Sequence, residues 1–184
     1  VEFSSLDLLN EDLQYPNEGY KVVLGKMVNY FRAYAGTSAI ILSGSLARGK
    51  AVKGSCIDLF IFLDERGFGL LASRIKRRIA AYSRLGGRIC YYSGDVEGGV
   101  FFDGDIRVDL GFTDGHFDPQ HVNSYDVTRD EFETSIGNLF VYARVLYARG
   151  PSYRRLRQKY LPFYDPKIRE TRLCATAEEF SYKV

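Results

Sequence analysis

The stretch Ile40-Ile41-Leu42-Ser43-Gly44-Ser45-Leu46-Ala47-Arg48-Gly49, with its sequel Cys56-Ile57-Asp58-Leu59-Phe60-Ile61-Phe62-Leu63, decides the fold. An apolar strand runs into a Gly-Ser turn. After a short polar excursion a second apolar strand begins, with a carboxylate near its start. Gly44 permits a backbone conformation closed to other residues and lets a ligand approach the main chain. A helix opening at Ser45-Leu46-Ala47-Arg48 would point unpaired N–H groups at an anion, and Arg48 adds a charged fork suited to phosphate oxygens. On a strand, residues i and i+2 face the same way. Cys56, Asp58 and Phe60 therefore share one face, and Ile57, Leu59, Ile61 and Leu63 share the other. Asp58 becomes an acid at the edge of an apolar strand beside a phosphate-binding turn, a place suited to phosphate and metal.

A third piece lies downstream in Gly104-Asp105-Ile106-Arg107-Val108-Asp109-Leu110-Gly111. Ile106, Val108 and Leu110 alternate with Asp105, Arg107 and Asp109, as in a half-buried strand. Asp109 is a second acid that a neighbouring strand can bring beside Asp58.

These pieces resemble the DNA polymerase beta-type nucleotidyltransferase superfamily, which includes small adenylyltransferases and antibiotic-modifying enzymes. Its pattern is Gly-Ser, about ten residues, Asp-hydrophobic-Asp at a strand start, and a third Asp on a later strand. Gly44 and Ser45 match, as does Ala47-Arg48-Gly49. Ser55-Cys56-Ile57-Asp58-Leu59 occupies the Asp-x-Asp position, with Cys56 standing where the first Asp would be, and Asp109 fits the third acid. The resemblance covers roughly residues 19 to 115. It implies an α/β (α+β) fold: a mixed β-sheet with flanking helices of the polymerase beta-like type, plus a C-terminal helical extension.

The resemblance also implies a chemistry. A nucleoside monophosphate, AMP from ATP above all, passes to an acceptor hydroxyl and pyrophosphate leaves. Two magnesium ions would be clamped by three carboxylates. Asp58 would bridge the metals, while Asp109 would bind the catalytic ion and could take the acceptor's proton. Gly44, Ser45 and Arg48 would hold the β- and γ-phosphates. The partners are a nucleotide and an acceptor that is a small molecule, a protein or an RNA end.

Cys56 departs from this pattern. A thiol is soft and mostly protonated at neutral pH, so it should not replace an Asp and is expected to pack as a small buried hydrophobe. Three expectations follow: a depleted cage helped by Asp64 or Asp105, a preference for Mn²⁺ over Mg²⁺, or nucleotide binding without turnover. The last makes the protein a degenerate transferase acting as a nucleotide-binding or partner-binding module.

Gly44 to Ala51 also reads as a Walker A loop, Gly-x-x-x-x-Gly-Lys, but Ala51 replaces the Ser or Thr that would hold magnesium. That loop must open a long helix, whereas Ala51-Val52-Lys53-Gly54-Ser55 leads into a strand. The transferase reading is preferred.

The 184 residues suit one domain with an extension, divided as an N-terminal arm (1–16), a nucleotidyltransferase core (17–127) and a C-terminal helical extension (128–184). A net charge of +2 argues against duplex nucleic acid as a partner. Three cysteines, Cys56, Cys90 and Cys174, without metal spacing suggest a reduced cytoplasmic setting. No apolar run reaches the length of a membrane span, Val1-Glu2-Phe3-Ser4-Ser5 does not read as a signal peptide, and the missing initiator Met suggests processing or trimming.

Asn17 is expected to cap a helix from Glu18 to Tyr34, with Tyr20, Val23, Leu24, Met27, Val28, Phe31 and Tyr34 on the sheet-facing stripe. A second helix is expected from Phe68 to Leu85, its Arg74, Lys76, Arg77, Arg78 and Arg84 forming a solvated face rather than a patch for RNA. Strands are expected at 88–92, at 98–102 and 105–112 around an Asp103-Gly104 turn, and at 145–147. Gly111 to Asn123 reads as loop, whose His116, Asp118 and His121 invite a minority zinc reading. Thr128 and Glu131 look like a capping box for a helix to Tyr142. A basic, Tyr-rich segment from Tyr153 to Tyr160 and a helix from Pro166 to Tyr182 complete the chain.

Overall fold

A computed structural model describes residues 13–64, 87–92, 98–115, 139–160 and 174. Helix α1, Glu18–Arg32, begins where Asn17 caps it: the Asn17 side chain accepts a hydrogen bond from the Gly19 N–H at 2.9 Å. It ends two residues short of the predicted boundary, and Tyr34 lies in the turn beyond, still buried. Strand β1, Thr37–Ser43, follows. Then come the one-turn helix α2, Gly44–Ala47, and strand β2, Ile57–Leu63. Strands β3, Gly87–Tyr92, β4, Gly98–Asp103, β5, Ile106–Thr113, and β6, Arg144–Ala148, complete a sheet, and helix α3, Ser152–Tyr160, closes the described chain.

The sheet has six strands in the order β3-β4-β5-β2-β1-β6 and is mixed. β1 pairs antiparallel with both β2 and β6, β4 pairs antiparallel with both β3 and β5, and β2 pairs parallel with β5. That parallel junction fixes the site, because its register sets Asp58 directly beside Asp109. The α+β architecture with a mixed sheet is the one the sequence predicts. β6 pairs with β1 and is thus part of the sheet itself.

Strand alternation sorts the apolar residues onto two faces. Ile40, Leu42, Ile57, Leu59, Ile61, Val108, Leu110 and Phe112 meet the stripe of α1, Val23, Leu24, Met27, Val28 and Phe31. Burying a side chain of this size stabilises by about 1.5–3 kcal/mol, so this one helix anchors the centre of the sheet. The opposite face carries a smaller cluster of Ala39, Ile41, Phe62, Leu139, Phe140, Ala143 and Tyr153. Phe62 meets the Tyr153 ring edge-on, with centroids 5.0 Å apart. α3 therefore docks on this second face through Tyr153, whose hydroxyl donates to the Leu139 carbonyl at 2.7 Å. Burial pushes the Tyr153 phenol up to about 12.

Removing that hydroxyl leaves a buried carbonyl without its donor, which costs about 1–3 kcal/mol. Tyr153→Phe is expected to lower the melting temperature by roughly 2–12 °C, since 1 kcal/mol corresponds to about 2–4 °C in a chain of this size. Thermal unfolding followed by circular dichroism checks it.

Two expectations are corrected. The β4–β5 turn is Gly104-Asp105 rather than Asp103-Gly104, because Asp103 pairs with Ile106. Gly104 takes φ +61 at the first loop position, where a primed hairpin turn needs a positive angle. The segment from Gly111 is not loop at its start: Gly111–Thr113 finish β5. The helices predicted at 68–85 and 166–182, the capping box at 128 and 131, the His116, Asp118 and His121 group, and the first twelve residues of the arm lie outside the described residues. Among the described residues no helix is long and apolar enough to cross a membrane.

Candidate active site

β1 delivers the chain to the site and Gly44 turns it. The glycine has φ +65, and a Cβ placed on it would collide with the Asp58 carboxylate. Two demands thus meet at one position, a left-handed backbone and an acid packed against it, and glycine alone satisfies both. α2 starts here, one residue earlier than expected, and its four residues are too few for a Walker loop's helix. The following excursion bonds to itself, Lys50 N–H to the Ser45 carbonyl at 2.9 Å and Ser55 N–H to the Val52 carbonyl at 2.9 Å. Tyr20 of α1 pins it by donating to the Ser55 carbonyl at 2.8 Å. The entry to β2 is held from both sides.

Cys56 and Asp58 then rise on the same face, as i and i+2 must. The Cys56 Sγ lies 3.4 Å and 3.6 Å from the two Asp58 carboxylate oxygens. Among the described residues, donor atoms of Cys56, Asp58 and Asp109 all lie within 4.8 Å of one another, and each residue is half-buried. The expectation that Cys56 packs as a buried hydrophobe is corrected: its sulfur turns to the carboxylates. Burial, with the Asp58 and Asp109 charges beside it, pushes the Cys56 thiol up to about 12. The Arg107 charge opposes this rise only in part, so the thiol keeps its proton and donates to Asp58.

Burial also raises the Asp58 pKa above the ordinary carboxylate value, opposed first by the Cys56 hydrogen bond and raised further by Asp109. Folded Asp58 therefore holds its proton more tightly than the unfolded chain does. Stability on this account is full below the unfolded pKa and falls as pH rises through the elevated one. Asp58→Asn is expected to melt above the parent protein at pH 7, the gain vanishing near pH 4, where the unfolded carboxyl is about half protonated. Melting curves across that range test it.

Asp109 carries a cation of its own. Arg107, two residues earlier on β5 and on the same face, donates from Nε to Oδ1 at 2.7 Å and from Nη2 to Oδ2 at 3.0 Å. Arg48 holds its guanidinium over the Tyr142 ring, 5.6 Å from the centroid, and its charge favours ionised Asp58. Arg144 donates to the carbonyl of Ala47, where α2 ends, at 3.1 Å. The Phe60 ring lies over Gly111, two register steps from the acids.

The structure thus brings Cys56, Asp58 and Asp109 together, with Gly44 against Asp58 and Ser45 and Arg48 on α2 and its C-cap. Asp64 and Asp105 stand elsewhere. Asp64 is six residues beyond Asp58, just past the far end of β2 and about 20 Å away at strand spacing, and Asp105 is in the hairpin turn. Neither belongs to the cluster. Sequence reasoning missed Arg107, although its i, i+2 spacing from Asp109 was in view, and missed Tyr142 and Arg144, which reach the site only because β6 joins β1.

Residues 24–90 match the family model described as a nucleotidyltransferase domain. No curated protein matches the chain. The match spans Gly44, Ser45, Cys56 and Asp58 and ends before Asp109, which the β2–β5 register brings beside Asp58. Domains of this family generally use a divalent metal and a nucleoside triphosphate, and the chain holds a cluster able to take a metal.

Proposed function

We propose that the protein transfers a nucleoside monophosphate, AMP from ATP first of all, to an acceptor hydroxyl and releases pyrophosphate. The observation that carries this reading is the pairing of Asp58 with Asp109 across the parallel β2–β5 junction, against Gly44, within a nucleotidyltransferase domain. Gly44 and Ser45 offer main-chain N–H groups to the β- and γ-phosphates, and Arg48 adds a fixed positive charge. Asp109 accepts the acceptor's proton, since its side chain is about a third exposed and within reach of an incoming hydroxyl. Arg107, which clasps Asp109, orients that carboxylate and leaves lone pairs on both oxygens.

Two carboxylates and a thiol do not fit the pair of magnesium ions that the resemblance implies. Magnesium demands hard oxygen ligands in octahedral geometry, and here one corner is sulfur. A single divalent cation suits the set, and when bound it would neutralise triphosphate charge at this point.

The test is incubation with α-labelled ATP, Mg²⁺ or Mn²⁺ and acceptors drawn from small molecules, proteins and RNA ends. Cys56→Asp is expected to raise label transfer about tenfold or more by restoring a hard ligand, worth roughly 1.4 kcal/mol of barrier per decade. Failure of Cys56→Asp and Asp109→Ala alike to alter transfer would show the site to be misassigned.

The lost acid at position 56 favours one second reading, a degenerate transferase that binds nucleotide or a partner without turnover. It requires calorimetric nucleotide binding with little metal dependence and a Cys56→Asp variant that stays inactive.

A further inference from the structure

The disagreement between the donor set and magnesium points to a different ion. We infer that Cys56, Asp58 and Asp109 form a site for one thiophilic divalent cation of the zinc or cobalt class, and that this is the cation the transferase site accepts. The inference rests on the transferase reading for its use, but not for its geometry.

The geometry is that of one coordination sphere. With metal–sulfur bonds of about 2.3 Å and metal–oxygen bonds of about 2.0–2.2 Å, the edges of a tetrahedral zinc site come to roughly 3.3–3.7 Å. Cys56 Sγ lies 3.4 Å and 3.6 Å from the Asp58 oxygens, already at that edge length. The Asp109 donor is within 4.8 Å of both, a closure that one rotamer adjustment on a side chain about a third exposed supplies, at the expense of an Arg107 hydrogen bond. Three protein ligands leave the fourth position open, as in catalytic rather than structural zinc sites. An open position is what a phosphate oxygen needs.

The ligand chemistry selects in the same direction. A thiolate is a good ligand for zinc and cobalt and a poor one for magnesium. Binding releases the thiol proton to solvent and leaves Sγ bound to the ion as thiolate. The spacing is specific to the fold rather than to a sequence motif: two ligands come from adjacent positions on one face of the β2 entry, the third from β5, 51 residues beyond Asp58 and in direct register with it. No search for paired-cysteine or paired-histidine spacings finds such a site.

The experiment is titration of the intact protein with Co²⁺, reading the near-ultraviolet sulfur-to-cobalt charge-transfer band. A band saturating at one equivalent, absent in Cys56→Ser and weakened in Asp109→Ala, is expected. Mg²⁺ in about hundredfold excess should leave it in place, because magnesium competes poorly for a thiolate site. Cys56→Asp, a second variant that keeps a ligand at the position, should bind Co²⁺ without the band and become displaceable by Mg²⁺. Absence of the band, its survival in Cys56→Ser, or its removal by stoichiometric Mg²⁺ would each overturn the proposal. Those results would leave the transferase reading standing if labelled transfer proceeds with Mg²⁺ or Mn²⁺. A band without label transfer to any acceptor would uphold the ion site and count against the transferase reading.

Discussion

Asp109→Ala is expected to lower the proposed nucleotidyl transfer by about 10³-fold or more while the fold stays intact. A bound cation contributes several kcal/mol of charge stabilisation to the transferring phosphoryl group, and each 1.36 kcal/mol is a factor of ten in rate. Removing Asp109 takes away one of only two carboxylates in the cluster, and with it the proposed acceptor of the nucleophile's proton. The structural cost is small, because the side chain is about a third exposed and its recorded partner is the half-exposed Arg107. A surface pair of this kind is worth about 0–1 kcal/mol. Transfer measured with α-labelled ATP, beside a melting curve, separates the outcomes. Lost transfer with an unchanged melt supports the role. Retained transfer removes Asp109 from the chemistry.

Gly44→Ala has the second large effect, and it acts on both stability and function. A left-handed backbone costs a non-glycine residue roughly 1–2 kcal/mol. At φ +65 that cost is unavoidable, and the new methyl also meets the Asp58 carboxylate, which must move. Gly104→Ala is the control. It has φ +61 but open space around the added methyl, so it bears the backbone cost alone. Gly104→Ala is expected to melt about 2–8 °C below the parent, given about 2–4 °C per kcal/mol, with transfer unchanged. Gly44→Ala should melt lower still and lose most of its divalent-cation binding. Equal melts and equal activities would mean that the Gly44–Asp58 contact has no consequence.

Much of this was legible in the chain, for a physical reason. β5 alternates cleanly and strand parity alone assigns the residues of β2 to two faces, and the helical stripe from Tyr20 to Phe31 is dictated by the same arithmetic at period 3.6. The positive φ of Gly44 was anticipated, although the acid that makes it obligatory was not. Local pattern cannot say which strands adjoin. The Asp58–Asp109 pairing depends on a parallel crossover between strands 42 residues apart, and only the resemblance supplied it. α3 was missed because Tyr153-Arg154-Arg155-Leu156-Arg157 reads as a basic tail. Its apolar positions, Tyr153 and Leu156, are three apart, and Tyr153 is buried only because Phe62 and Phe140 await it on the second face of the sheet. Cys56 was read as a packing residue from its type. Its sulfur instead follows strand parity, which places it with Asp58 whatever its hydrophobicity.

The most direct measurement of the central claim, that Asp58 and Asp109 jointly hold the cation beside a bound triphosphate, needs no acceptor. Mn²⁺ binding is followed by electron paramagnetic resonance with ATP present, for the parent, Asp58→Ala and Asp109→Ala. Saturable binding in the parent that both substitutions weaken by about tenfold or more, a loss of roughly 1.4 kcal/mol or greater, is the predicted result. Unchanged Mn²⁺ binding in both variants would contradict it.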